Sequence, residues 1–506
     1  MKKTLASGVL AALCLTACTK KDLSAPQASS EVASTATSSV PGKTISRGSH
    51  YLIVTNSQTL SDNLTQKIKA TGSVTSSMGE LGIVLASSSD PDFKSKIEQL
   101  SEVQSVLPDI SLSFLKSSFN EHKLQPLSKE QVPAPSAKLA SSTSLGLSGT
   151  NPFVPLQWSL QSVNAAGAFK AGYKGSGAVV AVLDNGFYLN NPDLAPNFIT
   201  SKAISFVPGE TVEFKNPALF SHGTHVSGII AAADNNFGIA GIAPAAKIMP
   251  VKVLYESGSG TFGWMMQGVK YAADNGANII NMSLGVVIPR NGNFVDDNNT
   301  PNDPSDDKIV HASAKEIQSL ITAMNRVFQY ARKKGSLCIA SAGNDALYIT
   351  GQGQGSSYPA ACPDVLAIAA NGPTGWAVNP NTSLFTPASY TNYGSSLVNL
   401  AAPGGNDKYT PANQLANVLG IILPAWAFDM VLSYSSDTSL TWAEGTSMAA
   451  PAASAVAALI VGKYGGNISP AQLEVKLKTS AVDLGKPGKD DFFGNGQVNA
   501  GNAIQK

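Results

Sequence analysis

Three residues of this 506-residue chain, Asp184, His222 and Ser447, are of the types that combine into an activated nucleophile. A Ser hydroxyl is a weak nucleophile until a neutral imidazole takes its proton, and a carboxylate on the other ring nitrogen holds that imidazole in the right tautomer. Each sits in a distinctive stretch. Leu183-Asp184-Asn185-Gly186 closes an apolar run. Ser221-His222-Gly223-Thr224-His225-Val226-Ser227-Gly228 opens a segment of small residues. Gly445-Thr446-Ser447-Met448-Ala449-Ala450-Pro451 leads into the apolar stretch Ala452 to Ile460. Taken singly, each has a plainer reading. An Asp before Gly at a strand end forms turns, and a hydroxyl at a helix start is a cap. His222 and His225 lack the i, i+4 spacing and intervening Glu of a zinc peptidase, so a metal reading is disfavoured. A fourth residue, Asn344 in Ala340-Ser-Ala-Gly-Asn-Asp345, carries an amide able to donate to an oxyanion, its plainer role being a turn.

The elements around these residues explain how they could meet. Ala178 to Leu183, Lys247 to Val253, Ile279 to Ser283, Leu337 to Ala340 and Val365 to Ala369 are short, apolar on both faces, and separated by helical segments. That pattern predicts an α/β fold with a mostly parallel sheet covered on both sides, and such sheets place ligands at the carboxyl ends of their strands. Upstream, Tyr51 to Thr55 reads as a strand, Leu60 to Ala70 as a helix, Ser73 to Ser87 as two strands, Phe93 to Leu100 as a helix and Val103 to Leu107 as a strand. The β-α-β-β-α-β order predicts a ferredoxin-like α+β unit. Residues 120 to 151 are polar and Ser/Pro-rich and read as a linker, Ser141 to Thr150 being the least structured part.

The amino terminus has an export signal's pattern: Lys2 and Lys3, an apolar run from Leu5 to Leu15, then Leu15-Thr16-Ala17-Cys18. The run is shorter than the ~20 residues of a spanning helix. Its end resembles the lipobox of bacterial lipoproteins, which implies a signal over residues 1–17 and lipid on Cys18, with 19–48 as a flexible tether; an ordinary secretory signal is the alternative. With 35 Lys+Arg against 34 Asp+Glu, the chain has no basic field, so no nucleic-acid role is expected. Charged residues at 14% are below the ~25% of an average soluble protein, which suits an exported one.

The Asp, His and Ser motifs in this chain order, with Gly241-Ile-Ala-Pro244, Asn281-Met-Ser-Leu-Gly285, Gly343-Asn344 and Gly494-Asn-Gly-Gln-Val-Asn-Ala500, resemble the subtilases, the subtilisin-like serine peptidases. The resemblance runs from about residue 155 to the carboxyl terminus. It implies a three-layer α/β/α domain over 152–506 and a serine endopeptidase acting through an acyl-enzyme, with Asp184, His222 and Ser447 catalytic and Asn344 in the oxyanion hole. His225 is implied to be structural. Ser283, Leu284, Gly285 and Ser341, Ala342, Gly343 match the segments flanking an extended substrate, and Gly258-Ser-Gly260 matches the wall of a more distal pocket. Residues 49–119, through Val106-Leu-Pro-Asp109, resemble the family's inhibitor prodomain, so a self-processed zymogen is implied. A catalytically silent peptide binder on the same scaffold is the rival.

No cofactor is implied for the chemistry. A structural calcium site is implied in part: Asp193 and Asn235 match side-chain ligands and Ala233, Phe237 and Ile239 supply carbonyls, while the family's amino-terminal Gln has no counterpart near Val154. Cys338 and Cys362 are the cysteines left after the signal and Cys18; they fall near adjacent strands, where either a disulfide or two buried thiols fits. Two insertions depart from the pattern. Residues 286–315, rich in Asp and Asn, read as a solvated loop or a calcium binder, and 404–442 as a lid or hairpin beside the cleft. Glu444 is unusual before Gly445 and would bring charge near His222. Expected partners are protein or peptide substrates and, before maturation, a membrane. The expected state is a monomer in a bacterial envelope, at the outer membrane or cell surface, from which the mature domain would be released.

Overall fold

The computed structural model describes residues 49–115, 122–123, 141–298, 300, 303–350 and 355–505. The expected signal, Cys18, the tether and most of the linker lie outside them.

The central sheet runs, edge to edge, through Thr386–Pro387, Val365–Gly372, Leu337–Ser341, Ile279–Met282, Val179–Asp184, Lys247–Lys252 and Ile204–Ser205, with Leu400–Pro403 also paired to Val365–Gly372. All pairings are parallel except that of Thr386–Pro387. Successive side chains of a strand point to opposite faces, and the core divides accordingly. Val180, Val182, Ile279, Ile339 and Ile368 pack toward helices His222–Ala231 and Thr446–Lys463. Ala181, Leu183, Ile280, Met282 and Ala340 pack toward helices Phe262–Asp274 and Ala314–Lys334. The result is the expected three-layer α/β/α arrangement. Helix Thr446–Lys463 is long and apolar enough to cross a membrane by composition, but it is buried along the sheet.

The amino-terminal unit is a four-stranded antiparallel sheet in the order Ser73–Met78, Ile83–Ser88, Ser49–Thr55, Val103–Pro108, with helices Asp62–Thr71 and Phe93–Glu98. This is the ferredoxin-like order expected. Tyr51, Ile53, Val84, Ala86 and Val106 face its own helices. Leu52, Val54, Ile83, Leu85 and Leu107 face the other way and join the core that contains helices Phe262–Asp274 and Ala314–Lys334. Polar contacts frame this seam: Lys94 pairs with Glu316, Lys270 with Glu80 at 2.8 Å, and Arg326 Nη1 donates to the Thr55 carbonyl at 3.0 Å.

Two expectations need correction, and a third is narrowed to one of its alternatives. Residues 141–150 are not the least structured part of a linker. Ser141 caps a helical turn, Ser142–Leu145, and Leu145 and Leu147 are buried in the peptidase core. Ser148 N and Gly149 N also donate to the Asp234 carboxylate at 2.7 and 2.6 Å. The insertion after Gly285 is not a solvated loop: Val286–Pro289 pairs with Gly355–Tyr358, and Asn293–Asp296 with Lys308–His311. Of the two readings of the insertion before Ser447, lid or hairpin, the hairpin holds: Leu415–Val418 pairs with Ile421–Pro424, and a second one follows. The second one, Val431–Tyr434 with Leu440–Ala443, is buried against helix His222–Ala231 and carries His122–Lys123 as a third strand.

Candidate active site

Asp184 is the last residue of strand Val179–Asp184, and His222 is the first of helix His222–Ala231; both are fully buried. The sheet end and the helix start bring them together. His222 Nδ1 lies 2.8 and 2.9 Å from the two Asp184 carboxylate oxygens, one of which also accepts the Asn185 N–H at 2.7 Å. This contact sets the tautomer: Nδ1 carries the hydrogen, and Nε2 keeps the lone pair. Beneath them Lys252, whose ammonium is buried, bonds the Asn185 carbonyl and Glu210 at 3.0 Å, and desolvation lowers its pKa. It ties down the strand end carrying Asp184, a part that sequence reading had treated as strand only.

Ser447 is the second residue of helix Thr446–Lys463, after Gly445 at φ 152°. A side chain at such a φ is strained, and a Cβ there would lie 3.4 Å from Asn344 Nδ2. The Ser447 hydroxyl donates to the Ser283 carbonyl at 3.1 Å, and Ser283 Oγ returns a bond to the Ser447 carbonyl at 2.7 Å. The helix itself explains the second bond. Residue i+4 from Ser447 is Pro451, which has no N–H, so the Ser447 carbonyl lacks its helical donor and Ser283 supplies one. Asn281, donating to Ser283 Oγ and accepting from Ser454 Oγ, locks the same strand to the same helix.

Asn344 follows Gly343, which has φ 105°. Its Oδ1 accepts from Thr446 N at 2.8 Å and Thr446 Oγ1 at 2.7 Å. That oxygen must be the acceptor because Thr446 N can only donate, so the amide N–H groups are the end left to face the cleft. The Ser447 N–H is a first-turn donor that the helix cannot use, at the positive end of the helix dipole. Gly285, Ser341, Gly343, Asn344, Asp345, Thr446 and Ser447 line one pocket. In the segments expected to flank the substrate, the Leu284 and Ala342 side chains are buried in the core and Ser283 is bonded to Ser447. His225 is structural, as expected: Nε2 meets the Thr441 carbonyl at 3.1 Å, and burial pushes its pKa down to about 3. Burial raises the pKa of Glu444 to about 8, and its carboxyl accepts the Asp407 N–H.

The cleft is occupied by the chain itself. Leu112–Ser113 pairs antiparallel with Ser259–Gly260, Phe114 N donates to the Gly258 carbonyl and Gly285 N to the Phe114 carbonyl, each at 3.3 Å. The chain thus lies between Gly258–Gly260 and Gly285, and Ser113, Phe114 and Leu115 line the pocket that holds Asn344 and Ser447.

The implied calcium ligands do not form an open set of oxygens. Asp193 Oδ2 accepts from Ile239 N at 3.0 Å and from the Tyr434 hydroxyl at 2.9 Å, and Asn235 Oδ1 accepts from Phe237 N at 3.0 Å. Of the side-chain oxygens of this set only Asp193 Oδ1 is buried without a donor, and even with the Ala233, Phe237 and Ile239 carbonyls it falls short of the six to eight oxygens calcium takes. The residues do not fit the ion, and the loop is closed by its own donors. Cys338 and Cys362 are separate buried thiols, not a disulfide; burial raises both pKa values, that of Cys362 to about 12.

Comparison with known proteins agrees with this geometry. The family model described as the subtilase family, Peptidase_S8, matches residues 175–496. The chain is 32% identical over 348 residues to the thermostable alkaline protease of Halalkalibacterium halodurans, covering 69% of this chain and 73% of that protein. It is 30% identical to subtilisin E of Bacillus subtilis, covering 69% and 71%. Among solved structures, the epidermin leader peptide processing serine protease EpiP of Staphylococcus aureus matches at a TM-score of 0.64 over 91% of this chain and 99% of that one; at 18% identity this is a likeness of fold. The chain therefore belongs to the subtilase family and is a subtilisin-like serine peptidase.

Proposed function

We propose that this peptidase is an exported, lipid-anchored endopeptidase made as a zymogen that cuts itself, with residues 49–115 as its inhibitory prodomain. The observation that carries the reading is the strand Leu112–Ser113, added to the cleft edge in the manner of an extended substrate. In the antiparallel register Leu115 follows at the pocket of Ser447, so the bond to be cut is Leu115–Lys116, ahead of the linker rather than within it. His222 takes the Ser447 proton as the hydroxyl attacks the Leu115 carbonyl, and Asp184 stabilises the imidazolium. The Asn344 amide and the Ser447 N–H receive the charge that develops on oxygen. His222 then protonates the leaving amine, and water releases the acyl-enzyme by the same steps reversed. Protein and peptide substrates take the tail's place once it leaves.

Export and anchoring rest on Lys2, Lys3, the apolar run and Leu15-Thr16-Ala17-Cys18. Lipid on Cys18 lies upstream of the cut, so processing at Leu115 separates the active domain from its covalent anchor in the envelope. The reading is tested by fluorophosphonate labelling, fractionation and amino-terminal sequencing. Wild type should label, become soluble and begin at Lys116; Ser447→Ala should neither label nor be cut, and should stay with membranes. A Ser447→Ala protein cut like wild type would overturn self-processing, and a Cys18→Ala precursor that still sediments with membranes would overturn the lipid anchor.

A further inference from the structure

The insertion that follows Gly285 reaches the upstream end of the cleft and grips the occupying tail. Asp297, buried though charged by type, accepts from the Ser111 hydroxyl at 2.8 Å through one oxygen and from the Ser259 hydroxyl at 2.7 Å through the other. Its own N–H donates to the Ser111 carbonyl at 3.2 Å, and the neighbouring Asp296 carboxyl is hydrogen-bonded to the Ser111 backbone. Ser259 belongs to the cleft-edge strand that pairs with Leu112–Ser113. One carboxylate therefore links the insertion, the cleft wall and the residue lying four positions before Leu115. On its other side the same hairpin offers Phe294, Val310 and Ala312, which line one apolar pocket with Phe262 and Leu112.

We propose that this insertion builds an additional specificity subsite, in which Asp297 selects a Ser or Thr four residues upstream of the residue whose carbonyl is attacked. The chemistry is that of an acceptor-only carboxylate held out of water. A hydroxyl satisfies it, an aliphatic side chain leaves it a donor short, and an acidic side chain meets it with like charge. The backbone bonds to Asp297 N and Asp296 hold the substrate chain in register whatever its side chain, so the discrimination lies in the hydroxyl. The substrates favoured are extended peptides with a hydroxyl residue at this position, followed directly by a bulky apolar residue in the place of Leu112.

The inference rests on the reading of the tail as bound in substrate direction. It is tested with the mature processed enzyme and three peptides: one with the sequence of residues 110–119, and two with Ala or Glu in place of its first Ser, the counterpart of Ser111. Mass spectrometry maps the cut, and kcat/KM is measured for each. The expectation is cleavage after the Leu115 counterpart, with the Ala peptide about 10-fold poorer, the scale of one hydrogen bond to a charged group, and the Glu peptide poorer still. Asp297→Ala should bring the Ser and Ala peptides to equal rates, while Asp297→Asn, which keeps an acceptor without the charge, should mostly restore acceptance of Glu. Each comparison is a ratio within one sample, so it does not depend on how much of a variant folds. Equal rates for Ser and Ala peptides in wild type, or a preference that survives Asp297→Ala, would overturn the subsite while leaving the cleft register intact. A cut mapped to another bond would overturn the register, and the subsite with it.

Discussion

Ser447, Asn344 and Ser283 show how little freedom the reacting groups have. Asn344 is held through its oxygen by Thr446, so its amide hydrogens are aimed by the helix that also carries the nucleophile. Replacing Asn344 with Leu should lower kcat by about 10²–10³ and leave KM nearly unchanged, because the lost bond exists only once charge has moved to oxygen; the size is the one known for subtilisin, not one derived from this geometry. A steady-state assay showing KM raised with kcat intact would take Asn344 out of the oxyanion hole. Ser283→Ala removes the donor that replaces the missing Pro451 N–H, leaving the buried Ser447 carbonyl short of a partner. That costs about 1–3 kcal/mol of stability. Urea denaturation should show it as a lower midpoint, and an unchanged midpoint would mean that the carbonyl finds another donor.

Among the elements, the two insertions were the hardest to read and proved the most informative. The first is polar in composition and the second carries an apolar stretch from Val418 to Leu432, yet each buries residues against parts of the chain far away in sequence, and composition carries no trace of that pairing. Asp297 is one case. Tyr434 is another, delivering its hydroxyl from the second insertion into the loop where calcium was expected. Tyr434→Phe takes one donor from buried Asp193 and should cost about 1–3 kcal/mol, read as a lower thermal midpoint. If the chain's own donors close this loop, a chelator should move the wild-type midpoint by less than the substitution does. A larger shift on chelation would restore the calcium reading.

For the molecule as a whole, the seam between the amino-terminal unit and the peptidase domain holds the tail that occupies the cleft. Asp109 lies in it, accepting the Gly263 N–H at the start of helix Phe262–Asp274, and desolvation there pushes its carboxyl up to about 6. A free Asp titrates near ~3.9. The neutral form is thus favoured in the contact, protons are taken up on association, and this contribution weakens the contact as pH rises from about 4 to about 6. Glu316 and Glu80, lowered by Lys94 and Lys270, act in the opposite sense as they ionise. The difference between wild type and Asp109→Asn isolates the Asp109 part. If the amino-terminal unit is cut off as proposed, its dissociation should be retarded at low pH more in wild type than in Asp109→Asn, with the two pH profiles parallel above about 6. Identical profiles throughout would remove Asp109 from the seam's pH response.

The reacting residues were legible through the family resemblance of their motifs taken together, and the parallel sheet because its strands' requirements are local. A strand-end Asp, a His opening a small-residue helix and a Ser behind a glycine each need particular neighbours, and buried strands need unbroken apolar runs. The ferredoxin-like unit was legible through the order of its elements. What depends on partners far apart in the chain was decided only by the folded molecule. Leu145 and Leu147, set among Ser and Gly, gain a core to enter only when the peptidase domain is formed. Cys338 and Cys362 sit on neighbouring structure, yet remain separate thiols. Asp193 could be assigned to a metal from its motif, but the Tyr434 hydroxyl reaches it from 241 residues away. Leu112 to Leu115 carry no motif of their own; they become the cleft's occupant because the seam fixes where the chain emerges, at the edge strand Ser259–Gly260.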